Sequence, residues 1–134
     1  MSVVYLLPTL AVLALARPDV PQAKRWQEIG KTSVGNAVLL DPRSVKKAPD
    51  GIITATLRVA FVKPVATPKG PITASRTVAM FDCVKKEVAV KENTYFHDEA
   101  ANRVFQKSAP GKPGFGTVIK GTLPDVAMAH LCSK

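Results

Sequence analysis

The 134-residue chain is poor in cysteine, histidine and aromatic side chains. Its two cysteines, Cys83 and Cys132, are too far apart for a Cys-x-x-Cys redox motif, and its two histidines are His97 and His130. A four-coordinate zinc site needs several such ligands converging on one point. Aromatic residues make up 6% of the chain, which argues against a stacking platform for single-stranded nucleic acid. The composition therefore predicts no enzyme, no metal or cofactor, and no nucleic-acid partner.

Two local patterns invite a catalytic interpretation, and neither is complete. The cluster His97-Asp98-Glu99 has no second set of ligands or catalytic groups near it in sequence, so we interpret it as a solvated connection. Ser44 follows Asp41-Pro42-Arg43 without a neighbouring base to activate it, which indicates turn chemistry.

Acidic residues are also scarce, since 10 Asp and Glu face 19 Lys and Arg, and the formal net charge is +9. Such a field attracts acidic proteins and polysaccharides, although a run of like charges can also be a merely solvated face. Two groups of basic residues stand out, one after the Asp-Pro turn and one at a short turn between two strands. This candidate basic binding surface consists of Arg43, Lys46, Lys47, Lys85 and Lys86.

An uncharged apolar run occupies residues 3–16 and ends in Ala14-Leu15-Ala16, a small-x-small pattern suited to signal peptidase. It predicts a signal peptide at residues 1–16, a flexible lead-in at residues 17–25 and one domain at residues 26–134. No Lys or Arg precedes the apolar run, so an uncleaved anchor or a buried helix stays open as an alternative. Export to the periplasm or the outer cell surface follows, with no transmembrane segment in the mature chain.

Export also favours a bond between the two cysteines. A Cys83–Cys132 disulfide would close a loop of about 50 residues, which contributes about 4 kcal/mol in the chain-entropy model.

Residues 53–62 show the clearest two-residue period, which predicts a strand covered on one side. The apolar side consists of Ile53, Ala55, Leu57, Val59 and Phe61. Further strands are predicted at residues 26–29, with Trp26 in the core, and at residues 36–41, 73–83, 87–96 and 103–106. The tail changes to helical spacing after Thr122-Leu123-Pro124-Asp125, which is similar to a capping box.

The order of Trp26, Asp41-Pro42-x-Ser44, Asp82-Cys83 and Leu131-Cys132 resembles the bacterial surface-adhesin protein E-like family over residues 26–132. The resemblance implies an α+β fold, with a single antiparallel β-sheet of about six strands and a C-terminal helix packed on one face. It also implies that a disulfide ties the helix to the sheet, because both cysteines fall on the family's cysteine positions. Founding members of the family are adhesins that bind host matrix or serum proteins.

We therefore expect an exported, non-enzymatic binding protein, adhesin-like, that recognises host matrix or another acidic protein or glycan. The alternative is a periplasmic accessory or structural protein of an envelope assembly with no host ligand. A small secreted enzyme or inhibitor is a weaker third hypothesis. An exposed sheet edge could also pair two copies into a homodimer.

Overall fold

The computed structural model describes residues 25–133. The predicted signal peptide and all but the last residue of the predicted lead-in lie outside the described residues. Within residues 25–133, no helix is long and apolar enough to cross a membrane.

Six strands follow one another along a single antiparallel sheet in the order in which they occur in the chain. A short seventh strand pairs with the fifth, and one helix follows it. The predicted α+β fold is confirmed. The elements are β1 (Gln27–Lys31), β2 (Ala37–Lys47), β3 (Ile53–Val65), β4 (Ile72–Asp82), β5 (Glu87–Asp98), β6 (Arg103–Ser108), β7 (Gly116–Thr117) and α1 (Leu123–Leu131).

The core lies between one face of the sheet and the helix. On β3 and β4, Ile53 pairs with Phe81 and Ala55 with Ala79, so these side chains alternate onto the same face. Leu57 and Phe81 are completely buried. The two-residue period of residues 53–62 thus correctly predicted which side of β3 is covered.

Helix α1 buries Ala127 and Met128 against this face. Pro124 lies in its first turn, where a missing amide hydrogen is tolerated. The predicted capping box is only partly present: Thr122 makes no side-chain cap bond, while Asp125 Oδ2 accepts a hydrogen bond from the Gly121 amide at 2.8 Å.

Gly30 allows the helix to lie close to β1. A Cβ atom at this position would come within 2.7 Å of Val126 Cγ1, closer than two carbon atoms can approach. The backbone of Gly30 also has a φ of +155°, at a bulge in the β1–β2 pairing.

The disulfide holds the end of the helix. Cys83 follows β4, Cys132 follows α1, and the two are bonded with their Cα atoms 5.6 Å apart. Both half-cystines pack against the core cluster. The predicted pairing of the two cysteines is confirmed.

The second strand differs from its prediction. The Asp41-Pro42 step was expected to end it, but β2 continues to Lys47 through an irregular stretch between Asp41 and Lys46. The Ser44 hydroxyl donates to the Asp41 carbonyl at 2.6 Å and accepts from the Thr56 amide at 2.8 Å. Proline is tolerated because it lies where the ladder is already interrupted.

Reduction of the disulfide should release the helix before the sheet melts. We expect amides of Leu123–Leu131 to lose hydrogen-exchange protection while β3 and β4 keep theirs, because the sheet retains its ladder. The unfolding free energy should fall by about 4 kcal/mol. Unchanged helix protection after reduction would contradict this expectation.

Candidate functional site

The residues of the candidate basic binding surface come together at one end of the sheet. Lys47 at the end of β2 pairs with Ile53, and Ile53 pairs with Phe81, two residues before Cys83 and the β4–β5 turn. Neighbouring strands lie about 4.8 Å apart, so the two basic groups are separated by about two strand spacings. We call this surface the basic end; it consists of Arg43, Lys46, Lys47, Lys85 and Lys86, all exposed.

The β4–β5 turn that carries Lys85 and Lys86 is held by two hydrogen bonds to the side chain of Asp82. Asp82 Oδ1 accepts from the amides of Val84 at 3.1 Å and Lys85 at 3.0 Å. Lys86 adopts a positive φ of 55°, which closes the turn. The acid at this position therefore holds the backbone of the turn that carries the two lysines.

The basic end is a rim and not a flat patch. Lys46 pairs with Thr54 and Lys47 with Ile53, so successive residues alternate between the two faces of the sheet. Arg43 belongs to the irregular part of β2 between Asp41 and Lys46. A partner would have to wrap the end of the sheet to meet all five cations.

The face of the sheet opposite the helix carries a second cationic group. Arg58 and Arg76 lie directly opposite each other on β3 and β4, an arrangement in which like charges repel. Glu99, from the β5–β6 turn, bridges them: its Oε1 lies 2.5 Å from Arg58 Nε and its Oε2 lies 2.6 Å from Arg76 Nη2. The Glu99 side chain is only 11% exposed. We call this trio the arginine bridge.

Trp26 packs on the arginine bridge and not in the core, so its predicted core position is wrong. The Arg25 guanidinium lies 4.7 Å from the Trp26 ring centroid, and that of Arg76 lies 5.4 Å from it. The Phe96 ring lies 5.7 Å from the same Arg76 group. Arg76 is thus held by stacking as well as by its carboxylate partner.

Sequence reasoning did not find the arginine bridge. The sequence predicts that Glu99 belongs to a solvated connection. The partner of Arg58 lies 41 residues away, and the strand register alone brings it close. The only signal in the sequence was a pair of arginines on otherwise sheet-forming strands.

An open groove with a volume of about 310 Å³ lies on the helix side of the sheet, beside the N-terminus of α1. The helix is too short to cover this part of the face. Sequence reasoning did not predict the groove, because its walls come from five different parts of the chain. It is lined by Thr32, Asn36, Val59, Phe61, Ser75, Thr77, Val90, Asn93, Tyr95, Leu123 and Pro124.

The described residues contain no group of three or more His, Cys, Asp or Glu side chains placed to hold a metal ion. His97 is occupied locally: its Nδ1 lies 2.7 Å from the Pro71 carbonyl, and its ring meets Phe105 edge-on at 5.2 Å. The basic end, the arginine bridge and the groove offer charged groups, hydrogen-bonding groups and a concave shape, and these are features through which proteins bind partners.

Neutralising the bridging acid should destabilise the fold. We expect Glu99→Gln to lower the unfolding free energy by about 1–3 kcal/mol, because two opposed guanidinium groups lose a partly buried charged acceptor. Urea denaturation measures the change. The matched control is Glu92→Gln, whose exposed pair with Lys107 spans 3.6 Å and should contribute less than about 1 kcal/mol. Equal, small effects of both variants would show that the bridge is not structural.

Solved structures with a similar fold include crystal structures of protein E of Haemophilus influenzae. Crystal form II of protein E aligns with a TM-score of 0.57 and 16% identity, over 89% of this chain and 94% of that chain. The selenomethionine form gives 0.54 and 16%, over 89% and 93%. Protein E from a non-typeable strain gives 0.52 and 15%, over 89% and 82%. At these identities the likeness concerns the fold alone.

No curated protein matches the sequence significantly. The sequence profile of the surface-adhesin protein E family matches residues 26–133, which is essentially the whole described chain. This match confirms the resemblance found in the sequence, and the chain belongs to the surface-adhesin protein E family.

Proposed function

We propose that this protein is an exported, non-enzymatic binding protein that meets an acidic protein or glycan through the basic end of its sheet. Membership of the surface-adhesin protein E family supports the coarser part, an adhesin-like surface protein. The observation that carries the finer part is the gathering of five exposed cations at one end of the sheet.

The charge of the whole chain favours such a partner. A net charge of +9 produces a long-range field that accelerates encounters with acidic surfaces. Within the described residues, the arginines of the opposite face are already bridged by Glu99, whereas no ion pair engages the lysines of the basic end. These lysines are therefore available to form ion pairs with a partner.

Two lysines of the basic end, Lys85 and Lys86, have a backbone conformation that is already fixed in the free protein. Lys85 and Lys86 belong to a tight turn fixed by Asp82, so their backbone is already ordered before a partner arrives. Preorganisation of this kind lowers the entropy lost on binding. A host matrix protein with acidic segments, or a sulfated or carboxylated glycan, has the required chemistry.

Retention on immobilised heparin and on immobilised matrix proteins, across a salt series, tests the proposal. We expect the retention of the wild-type protein to fall as salt is added, because dissolved ions screen the attraction between exposed charges. The double variant Lys85→Gln/Lys86→Gln should bind about 2- to 30-fold more weakly, as expected for two exposed ion pairs.

The matched control is Lys63→Gln/Lys69→Gln, which removes the same charge at the β3–β4 end of the sheet, away from the basic end. It should retain nearly wild-type affinity. Equal weakening by both double variants would leave only net charge as the cause. Absence of salt-sensitive retention on every matrix would favour an accessory role inside the envelope.

A further inference from the structure

The floor of the groove beside α1 is a compact set of four polar side chains on the neighbouring strands β4 and β5. Ser75 on β4 pairs directly with Tyr95 on β5, and Thr77 pairs with Asn93. All four therefore stand on the helix side of the sheet, within two residues along each strand. Ser75 and Thr77 are 5% and 7% exposed.

The hydrogen bonds of this floor leave a specific set of groups free. The Thr77 hydroxyl donates to Asn93 Oδ1 at 2.6 Å, which fixes the amide and leaves its nitrogen with two hydrogens to donate. Among residues 25–133, the Ser75 hydroxyl and the Tyr95 phenol have no side-chain hydrogen bond. The floor thus offers both donors and acceptors to a ligand.

Polar groups at the rim are partly used by the fold. Thr32 Oγ1 accepts from the Asn36 amide at 3.1 Å, and Asn36 Oδ1 accepts from the Val62 amide at 2.9 Å. The acceptor oxygens of Thr32 and Asn36 are therefore taken by the backbone, while the Asn36 amide nitrogen and the Thr32 hydroxyl can still donate at the rim.

The walls of the groove are apolar, and no charged side chain among residues 25–133 lines it. Its volume of about 310 Å³ falls in the range of small-ligand sites. A ligand that satisfies this environment must be uncharged, must donate and accept several hydrogen bonds along one edge, and must bury apolar C–H surface. The apolar walls consist of Val59, Phe61, Val90, Leu123 and Pro124.

We propose that the groove binds a neutral sugar residue. The hydroxyls of the sugar meet Ser75, Asn93 and Tyr95, and the C–H face of its ring lies against the apolar wall. This site is separate from the basic end and goes beyond the function proposed above, since it needs no charge on the ligand.

Titration of ¹⁵N-labelled protein with glucose, galactose and N-acetylglucosamine tests the inference. With at least one of these sugars we expect saturable shift changes in the amides of Ser75, Thr77, Asn93 and Tyr95. Tyr95→Phe removes one partly exposed hydroxyl without touching the core, so it should fold normally and weaken binding about 2- to 12-fold. Asn93→Ala should weaken binding at least as much, although it also removes the acceptor of Thr77.

Two controls separate this site from the rest of the surface. Glu92→Gln changes the opposite face of the same strand and should leave the sugar affinity unchanged. Lys85→Gln/Lys86→Gln should also leave it unchanged, which distinguishes failure of this inference from failure of the basic end. The inference is overturned if none of the three sugars gives saturable shifts. It is equally overturned if Tyr95→Phe binds as tightly as wild type, or if only a charged sugar such as glucuronate binds.

Discussion

The packing of one short helix on one face of the sheet sets the layout of the molecule. Ala127 and Met128 supply the buried side of the helix, and the Cys83–Cys132 bond holds its C-terminal end to the last residues of β4. An antiparallel sheet with one covered face needs nothing on the other. Because α1 has only nine residues, the covered area stops near its N-terminus, and the groove opens there. The groove is thus a consequence of helix length.

The uncovered face is stabilised in a different way. The charged ends of Arg58 and Arg76 meet Glu99, and the Trp26 ring stacks on the Arg76 guanidinium. A face built from ion pairs and a stacked indole tolerates contact with water. Glu99 engages both arginines and neutralises one of their two charges, and the cations without an ion pair among residues 25–133 lie elsewhere, above all at the basic end.

The features that the sequence predicted well are those that depend on local pattern. Alternation identified the covered side of β3, and the count of two cysteines identified the disulfide. The missed features depend on strand register: Glu99 reaches its arginines across 41 and 23 residues, and the groove joins separate segments. Pro42 predicts the end of a strand. The strand continues because the Ser44 hydroxyl bonds to the Asp41 carbonyl and to the distant Thr56 amide, which local sequence does not reveal. Trp26 is predicted in the core as the first residue of a weakly alternating strand, whereas in the structure the guanidinium groups of Arg25 and Arg76 lie over its ring.

Binding of an acidic partner at the basic end is tested most directly by hydrogen–deuterium exchange with and without a heparin oligosaccharide. We predict increased protection in residues 43–47 and 84–87, the two segments that carry the exposed cations, and unchanged protection in residues 66–71 at the other end of the sheet. Protection centred on residues 66–71, or spread evenly over the surface, would contradict a defined binding site at the basic end.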